Sequence, residues 1–163
     1  MKTDDFFDEL GVLALGSRLK RLSDRLAAEA NAIHQVYGRG SQARWFVLLA
    51  LLHAKQQLSV VQAAECLGVT QPAISQACRE LEAKGWLEVV VDDNDGRKRL
   101  MSLSRGGQRQ VEVMQTMWQA VESAALDLCR DADVDLLQNI QQIERALTRK
   151  SLLARVEERL ASE

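Results

Sequence analysis

The stretch "LSVVQAAECLGVTQPAISQACRELEAKGW", from Leu58 to Trp86, restricts the folds open to this chain more than any other. Apolar residues recur at helical spacing on both sides of "LGVT", as Val61, Ala64 and Leu67 before it and Ile74, Ala77 and Leu81 after it. The spacing predicts two short helices, over about Ser59–Leu67 and Gln71–Lys84. Ser59 and Thr70 are their N-caps, and Pro72 falls in a first turn, where its missing N–H costs nothing. Gly85 ends the second helix, and Gly68 permits a tight turn between the two, with Val69 helping to pack the second back on the first.

The residues C-terminal to this pair narrow the choice again. Residues Trp86–Val91 are apolar and rich in valine, a second strand is predicted over Lys98–Leu103, and "DDNDGR" is the turn between them. A helix-turn-helix followed at once by a two-stranded ribbon is a winged helix. Its second helix keeps Gln71, Pro72, Ser75, Gln76 and Arg79 on the outer face. Residues so short or polar suit a helix that enters a major groove and bonds to base edges. The chain carries a net charge of -2 and a pI of about 5.8, so it is no indiscriminate coat for nucleic acid. Any such contact needs a local patch. Between Gly96 and Gln110 stand Arg97, Lys98, Arg99, Arg105 and Arg109 with no acidic residue, and that stretch supplies one.

The flanks read as helices. Residues 5–36 have helical spacing through Phe6, Leu10, Leu13, Leu15, Leu19, Leu22, Leu26 and Ile33, and "YGRGS" breaks it. A buried helix is predicted over Ala43–Lys55. Ser104 caps a long helix from Arg105 to about Cys129 or Arg130. After "RDADVD" comes a last helix carrying Leu136, Ile140, Ile143, Leu147, Leu153, Val156 and Leu160. The fold class is mostly α with a small β-hairpin, as one domain over 1–163. Its winged core spans 43–104, between outer helices at 5–36 and 105–163. Strands do not alternate with helices, which excludes a parallel-sheet nucleotide fold.

Other classes drop out by absence of motif. The longest apolar block, Trp45–Leu52, is too short to cross a membrane, and no signal peptide opens the chain, so a cytoplasmic protein is expected. Cys66, Cys78 and Cys129 are scattered, and His34 and His53 lack ligand spacing, so we expect no disulfide framework, metal or cofactor. A glycine-rich phosphate loop, G-x-S-x-G and a histidine with a nucleophile partner are all missing, which argues against an enzyme.

"DNDGRKRLMSLSRGG" resembles the wing signature of the MarR family of transcription regulators, through Asp95, Arg97, Leu103, Ser104 and Gly106 or Gly107. "LGVTQPAIS" and "LEAKGWLE" are similar to that family's recognition helix and its exit. The resemblance implies a sequence-specific regulator of double-stranded DNA, more often a repressor, that reads a pseudo-palindrome as a homodimer. Its DNA-contact set here is Ser59, Thr70, Gln71, Pro72, Ser75, Gln76, Arg79, Asp95, Arg97, Lys98 and Arg99. Arg97 is sent into the minor groove, Lys98 or Arg99 serves phosphates, and Asp95 holds Arg97 or Arg99. Asp92 and Asp93 read as a solvated turn. The dimer candidates are Phe6, Phe7, Leu10, Leu13, Leu153, Val156 and Leu160.

The resemblance also implies a pocket for a small phenolic or aromatic-acid inducer, with His34, Tyr37, Trp45, Met114, Met117 and Trp118 as its candidate lining. Each of these six also fits an ordinary core position, and that alternative stays open. The family's peroxide-sensing branch uses a cysteine in the N-terminal helix, whereas here none precedes Cys66. Some MarR-like domains are fused to an acetyltransferase, for which 163 residues leave no room. The competing reading is a winged-helix module that binds another protein. It is favoured by a recognition face with Arg79 as its one cation.

Overall fold

A computed structural model describes residues 5–92 and 95–162, with the side chains at 92 and 95–98 outside that description. The chain divides into two compact units, residues 1–117 and 118–163, and the division falls inside one helix.

The first unit opens with α1 (Phe6–Leu10), a 3-10 turn (Gly11–Ala14) and α2 (Leu15–Tyr37). The single N-terminal helix expected from the sequence is therefore broken. Gly11 takes φ 55°, ψ -130°, a conformation open to glycine that no helix tolerates. The Asp5 carboxylate caps α1 by accepting from the Phe7 N–H at 3.2 Å. It also accepts from Arg21 at 2.5 Å, which ties α1 back onto α2, and the Arg21 guanidinium lies 4.6 Å from the Phe7 ring centroid.

Helix α3 (Phe46–Lys55) follows a 3-10 turn at Ala43–Trp45, then come β1 (Gln57–Ser59), α4 (Val60–Leu67), α5 (Gln71–Ala83), β2 (Leu87–Asp92) and β3 (Asp95–Leu103). The caps sit where the sequence placed them. Ser59 and Gln62 form a reciprocal capping box on α4, Thr70 caps α5, and Gly85 takes φ 68° after it.

The expected hairpin is in fact two strands of a three-stranded antiparallel sheet in the order β1-β3-β2. Leu58 pairs with Met101 and Val89 pairs with the same residue from the other side. Around that sheet lies the core. Trp45 from the 3-10 turn and Leu48, Leu49 and Leu52 from α3 are buried, as are Ala63, Ile74, Leu81, Leu87 and Met101. At about 25 cal/mol per Å2 of apolar surface removed from water, this burial is the main force holding the unit together.

Helix α6 (Arg105–Asp131) starts in the first unit, where Val111, Met114 and Met117 are buried, and ends in the second. The second unit continues with α7 (Leu136–Arg149) and α8 (Leu152–Leu160). One continuous last helix was expected, but Lys150 leaves helical backbone with φ -157° and ψ 119°, and Ser151 caps a new helix by accepting from the Ala154 N–H at 3.1 Å. Among the described residues no helix is long and apolar enough to cross a membrane.

Candidate nucleic-acid interface

Helix α5 is amphipathic in the sense its function would need. Ile74, Cys78 and Leu81, spaced four and three apart, are buried, whereas Gln71, Pro72, Gln76 and Arg79 are exposed and Ser75 is half-buried. The hydroxyl of Thr70 accepts from the Ala73 N–H at 3.4 Å, and the Ser59 hydroxyl accepts from Gln62 at 3.2 Å. Both caps therefore fix the ends of the helix pair at its exposed rim.

The polar face of α5 is wired together. Arg79 donates to the Gln76 side-chain oxygen at 2.5 Å, and Gln76 Nε2 donates to Glu80 Oε1 at 2.8 Å. The other oxygen of Glu80 accepts from the indole Nε1 of Trp45 at 2.7 Å and pairs with Arg44 at 2.9 Å. The hydrogen bonds from Gln76 and Trp45, helped by Arg44, hold the Glu80 carboxyl below its ordinary value. It stays ionised at neutral pH. Lys84 stands 5.6 Å from the Trp45 ring centroid and 5.5 Å from that of Trp86, and the two indoles meet edge to face at 5.9 Å.

In the wing, Arg99 is exposed and pairs across the ribbon with Val91. The backbone of Asp95, Arg97 and Lys98 continues β3, but their side chains, with Asp92, lie outside the described residues, as do Asp93 and Asn94 entirely. The base of the wing is clamped to α6. Ser104 Oγ donates to the Gly85 carbonyl at 2.6 Å and accepts from the Gly107 N–H at 3.0 Å, and the Ser104 N–H donates to the Trp86 carbonyl at 3.1 Å. The "LSRGG" run thus has a mechanical task, joining the end of α5, the wing and α6 at one point.

The dimer candidates are apolar and uncovered in the protomer. Phe6, Leu13, Leu153, Val156 and Leu160 are exposed, Leu13 by 87%, while Phe7 and Leu10 are half-buried. The candidate ligand residues divide. Trp45, Met114 and Met117 are buried in the core, Tyr37 is 65% exposed, and Trp118 is half-buried in the second unit. His34 is buried and lines a cleft of about 540 Å3 with Asn31, Gln35, Ser41, Gln42 and Arg44. Sequence reading did not single out Arg44, Glu80 or Ser41. Arg44 and Glu80 lie far apart along the chain, and nothing local to either marks the pair.

Among the cysteines, Cys66 is exposed on α4 and Cys78 is buried in α5 with its Sγ 2.9 Å from Met101 Sδ. Burial, reinforced by Glu82, pushes the Cys78 thiol up to about 11. It is an inert core residue at neutral pH.

A family model described as MarR family matches residues 41–98. No curated protein sequence matches the chain. Among solved structures, BpsR of Bordetella bronchiseptica, whose DNA binding is regulated by 6-hydroxynicotinic acid, is 25% identical with TM-score 0.61, covering 76% of this chain and 98% of its own. A MarR/EmrR family regulator from Acinetobacter sp. ADP1 is 21% identical with TM-score 0.71, covering 88% and 98%. A cysteine-to-serine mutant of MarR from E. coli, solved with operator DNA, is 20% identical with TM-score 0.63, covering 88% and 99%. The matched segment holds the helix pair and most of the wing, whose outer faces form the candidate interface. Residues 41–98 thus match the model of the MarR family, and the chain shares its fold with solved transcriptional regulators described under that name.

Proposed function

We propose that the protein is a cytoplasmic, sequence-specific repressor that binds double-stranded DNA as a homodimer on a pseudo-palindromic operator and is released by a small phenolic or aromatic-acid ligand. The observation that carries this reading is the division of α5. Its Ile74, Cys78 and Leu81 face is spent on the core, which leaves Gln71, Pro72, Gln76 and Arg79 exposed at the surface. That MarR of E. coli was solved with operator DNA, and that BpsR's DNA binding answers to 6-hydroxynicotinic acid, supports the same assignment.

In this reading α5 lies in the major groove, with Gln71, Ser75, Gln76 and Arg79 toward base edges and Ser59 and Thr70 toward the backbone. Pro72 keeps the first turn close to the groove wall. Arg97 enters the flanking minor groove under the control of Asp95, and Lys98 and Arg99 meet phosphates. Two copies join through the apolar outer helices, which sets the two α5 helices about one turn of DNA apart. Binding of the purified protein to genomic fragments with competitor DNA tests the assignment. Saturable, competitor-resistant binding is expected, and a folded dimer that selects no fragment removes it.

A further inference from the structure

Helix α5 carries a carboxylate, Glu80, at the border between the buried strip of Ile74, Cys78 and Leu81 and the exposed side chains of Gln76 and Arg79. Glu80 itself is half-buried. On a helix that meets phosphates a carboxylate repels, and a cation at the same place would add affinity on every sequence. What Glu80 contributes is order.

Its two oxygens serve two different structures. Oε2 accepts from the Trp45 indole N–H at 2.7 Å and pairs with Arg44 at 2.9 Å. Trp45 is buried and its ring meets that of Trp86 edge to face, so this anchor is fixed by packing. Oε1 accepts from Gln76 Nε2 at 2.8 Å, and Gln76 Oε1 in turn accepts from Arg79 at 2.5 Å. The chemistry allows this amide one orientation only. Turned over, it would set its oxygen against the carboxylate and its NH2 against a guanidinium that has no acceptor, and both contacts would repel.

We infer that Glu80 is a positioning residue for sequence reading: held by Trp45 and Arg44, it locks the Gln76 amide, and through that amide it braces Arg79 toward a guanine. A free glutamine can meet adenine with its N–H and C=O side by side. Gln76 has spent one N–H on Glu80 and one lone pair on Arg79, so it acts as a brace before it acts as a reader. Arg79 becomes the held group, and its remaining N–H donors suit the O6 and N7 acceptors of guanine. The inference rests on the reading of α5 as the DNA-facing helix, and it deepens that reading by naming the base opposite Arg79.

Glu80→Gln is the informative substitution, because it keeps the shape and loses one acceptor oxygen. Once the single remaining oxygen serves the Trp45 N–H, the new NH2 confronts that of Gln76 and the brace fails. Wild type, Glu80→Gln, Gln76→Ala and their double variant are compared on a selected operator, on half-sites with each guanine in turn replaced by adenine, and on DNA of unrelated sequence. The guanine in question is the one whose preference Arg79→Ala removes, and a selective wild type without one overturns the inference. Glu80→Gln is expected to lower that preference roughly tenfold, within what a bidentate base contact contributes, while affinity for unrelated DNA holds or rises. On the Gln76→Ala background the same substitution changes the preference by less than about twofold, because its route runs through Gln76. A merely structural role would instead weaken binding to all DNA alike and add to the effect of Gln76→Ala. An unchanged preference in Glu80→Gln, or full additivity with Gln76→Ala, overturns the inference. Should Glu80→Gln misfold, Glu80→Asp keeps the charge but is one methylene too short to span Trp45 and Gln76, and the same loss is expected of it. A wild type that prefers no sequence removes the DNA reading itself, whereas a selective wild type with an indifferent Glu80→Gln removes this inference alone.

Discussion

Gly107, in the first turn of α6, lies against the backbone of Trp86 so closely that a Cβ built on it would stand 1.9 Å from the Trp86 carbonyl oxygen. That carbonyl also accepts from the Ser104 N–H, so it is held from two sides and has nowhere to move. Gly107→Ala therefore destabilises the protein by about 3 kcal/mol, the upper end of the usual overpacking cost. Gly16, in α2 with open space around it, behaves oppositely, and Gly16→Ala stabilises by roughly 0.5–1 kcal/mol. Urea unfolding of both variants measures the two signs, and equal effects contradict the packing argument.

The thiols differ in reactivity by burial. In native buffer near neutral pH a maleimide labels exposed Cys66 readily, whereas Cys78, with its thiol pushed up to about 11, is labelled only when the protein unfolds. Labelling of Cys78 at the rate of Cys66 shows that α5 does not keep it in the core.

Burial holds the folded pKa of His34 below its ordinary 6.5. Above that value the imidazole is neutral in both states and nothing is lost. As the pH falls through it, the unfolded chain takes up a proton that the folded protein refuses, so stability declines until the folded group also titrates. Thermal melts in mild acid are expected to show a steeper loss for the wild-type protein than for His34→Gln. Parallel curves mean that His34 is solvated.

Leu13 and Leu153 are exposed in the protomer, and we assign both to the dimer interface. Leu13→Glu and Leu153→Glu leave the melting of an isolated protomer almost unchanged. They remove contacts worth roughly 1.5–3 kcal/mol per buried leucine on association. Sedimentation is expected to show a monomer for the double variant at concentrations where the parent is dimeric. A parent that is itself monomeric refutes the assignment.

The parts of the fold legible in the sequence are those written in local chemistry. Ser59, Thr70, Pro72 and Gly85 each act within a few residues of themselves, Ser104 caps α6 through the nearby Gly107 N–H, and each marks an element boundary where it was expected. Strand β1 was not legible. Three residues give no period, and what makes them a strand is pairing with Leu100–Ser102, far along the chain. The breaks at Gly11 and Lys150 leave only a shift in the apolar spacing, from Leu13 to Leu15 and from Leu147 to Leu153, and each is made by backbone that the helical pattern on either side does not announce. In the site, the outward residues of α5 came from periodicity alone. The Arg44–Glu80 pair joins distant positions, and only the folded chain brings them together.

The most direct test of the central claim is the affinity of wild type, Arg97→Ala and Arg79→Ala for one selected operator and for variants of its A·T-rich flanks, across a series of salt concentrations. For Arg97→Ala we predict a loss of about 1–3 kcal/mol that is confined to operators with A·T-rich flanks. For Arg79→Ala the loss tracks the sequence of the half-site, while folding and dimer formation are unchanged for both. Equal loss on every sequence, accompanied only by a shallower salt dependence, would contradict groove readout and reduce both residues to phosphate contacts.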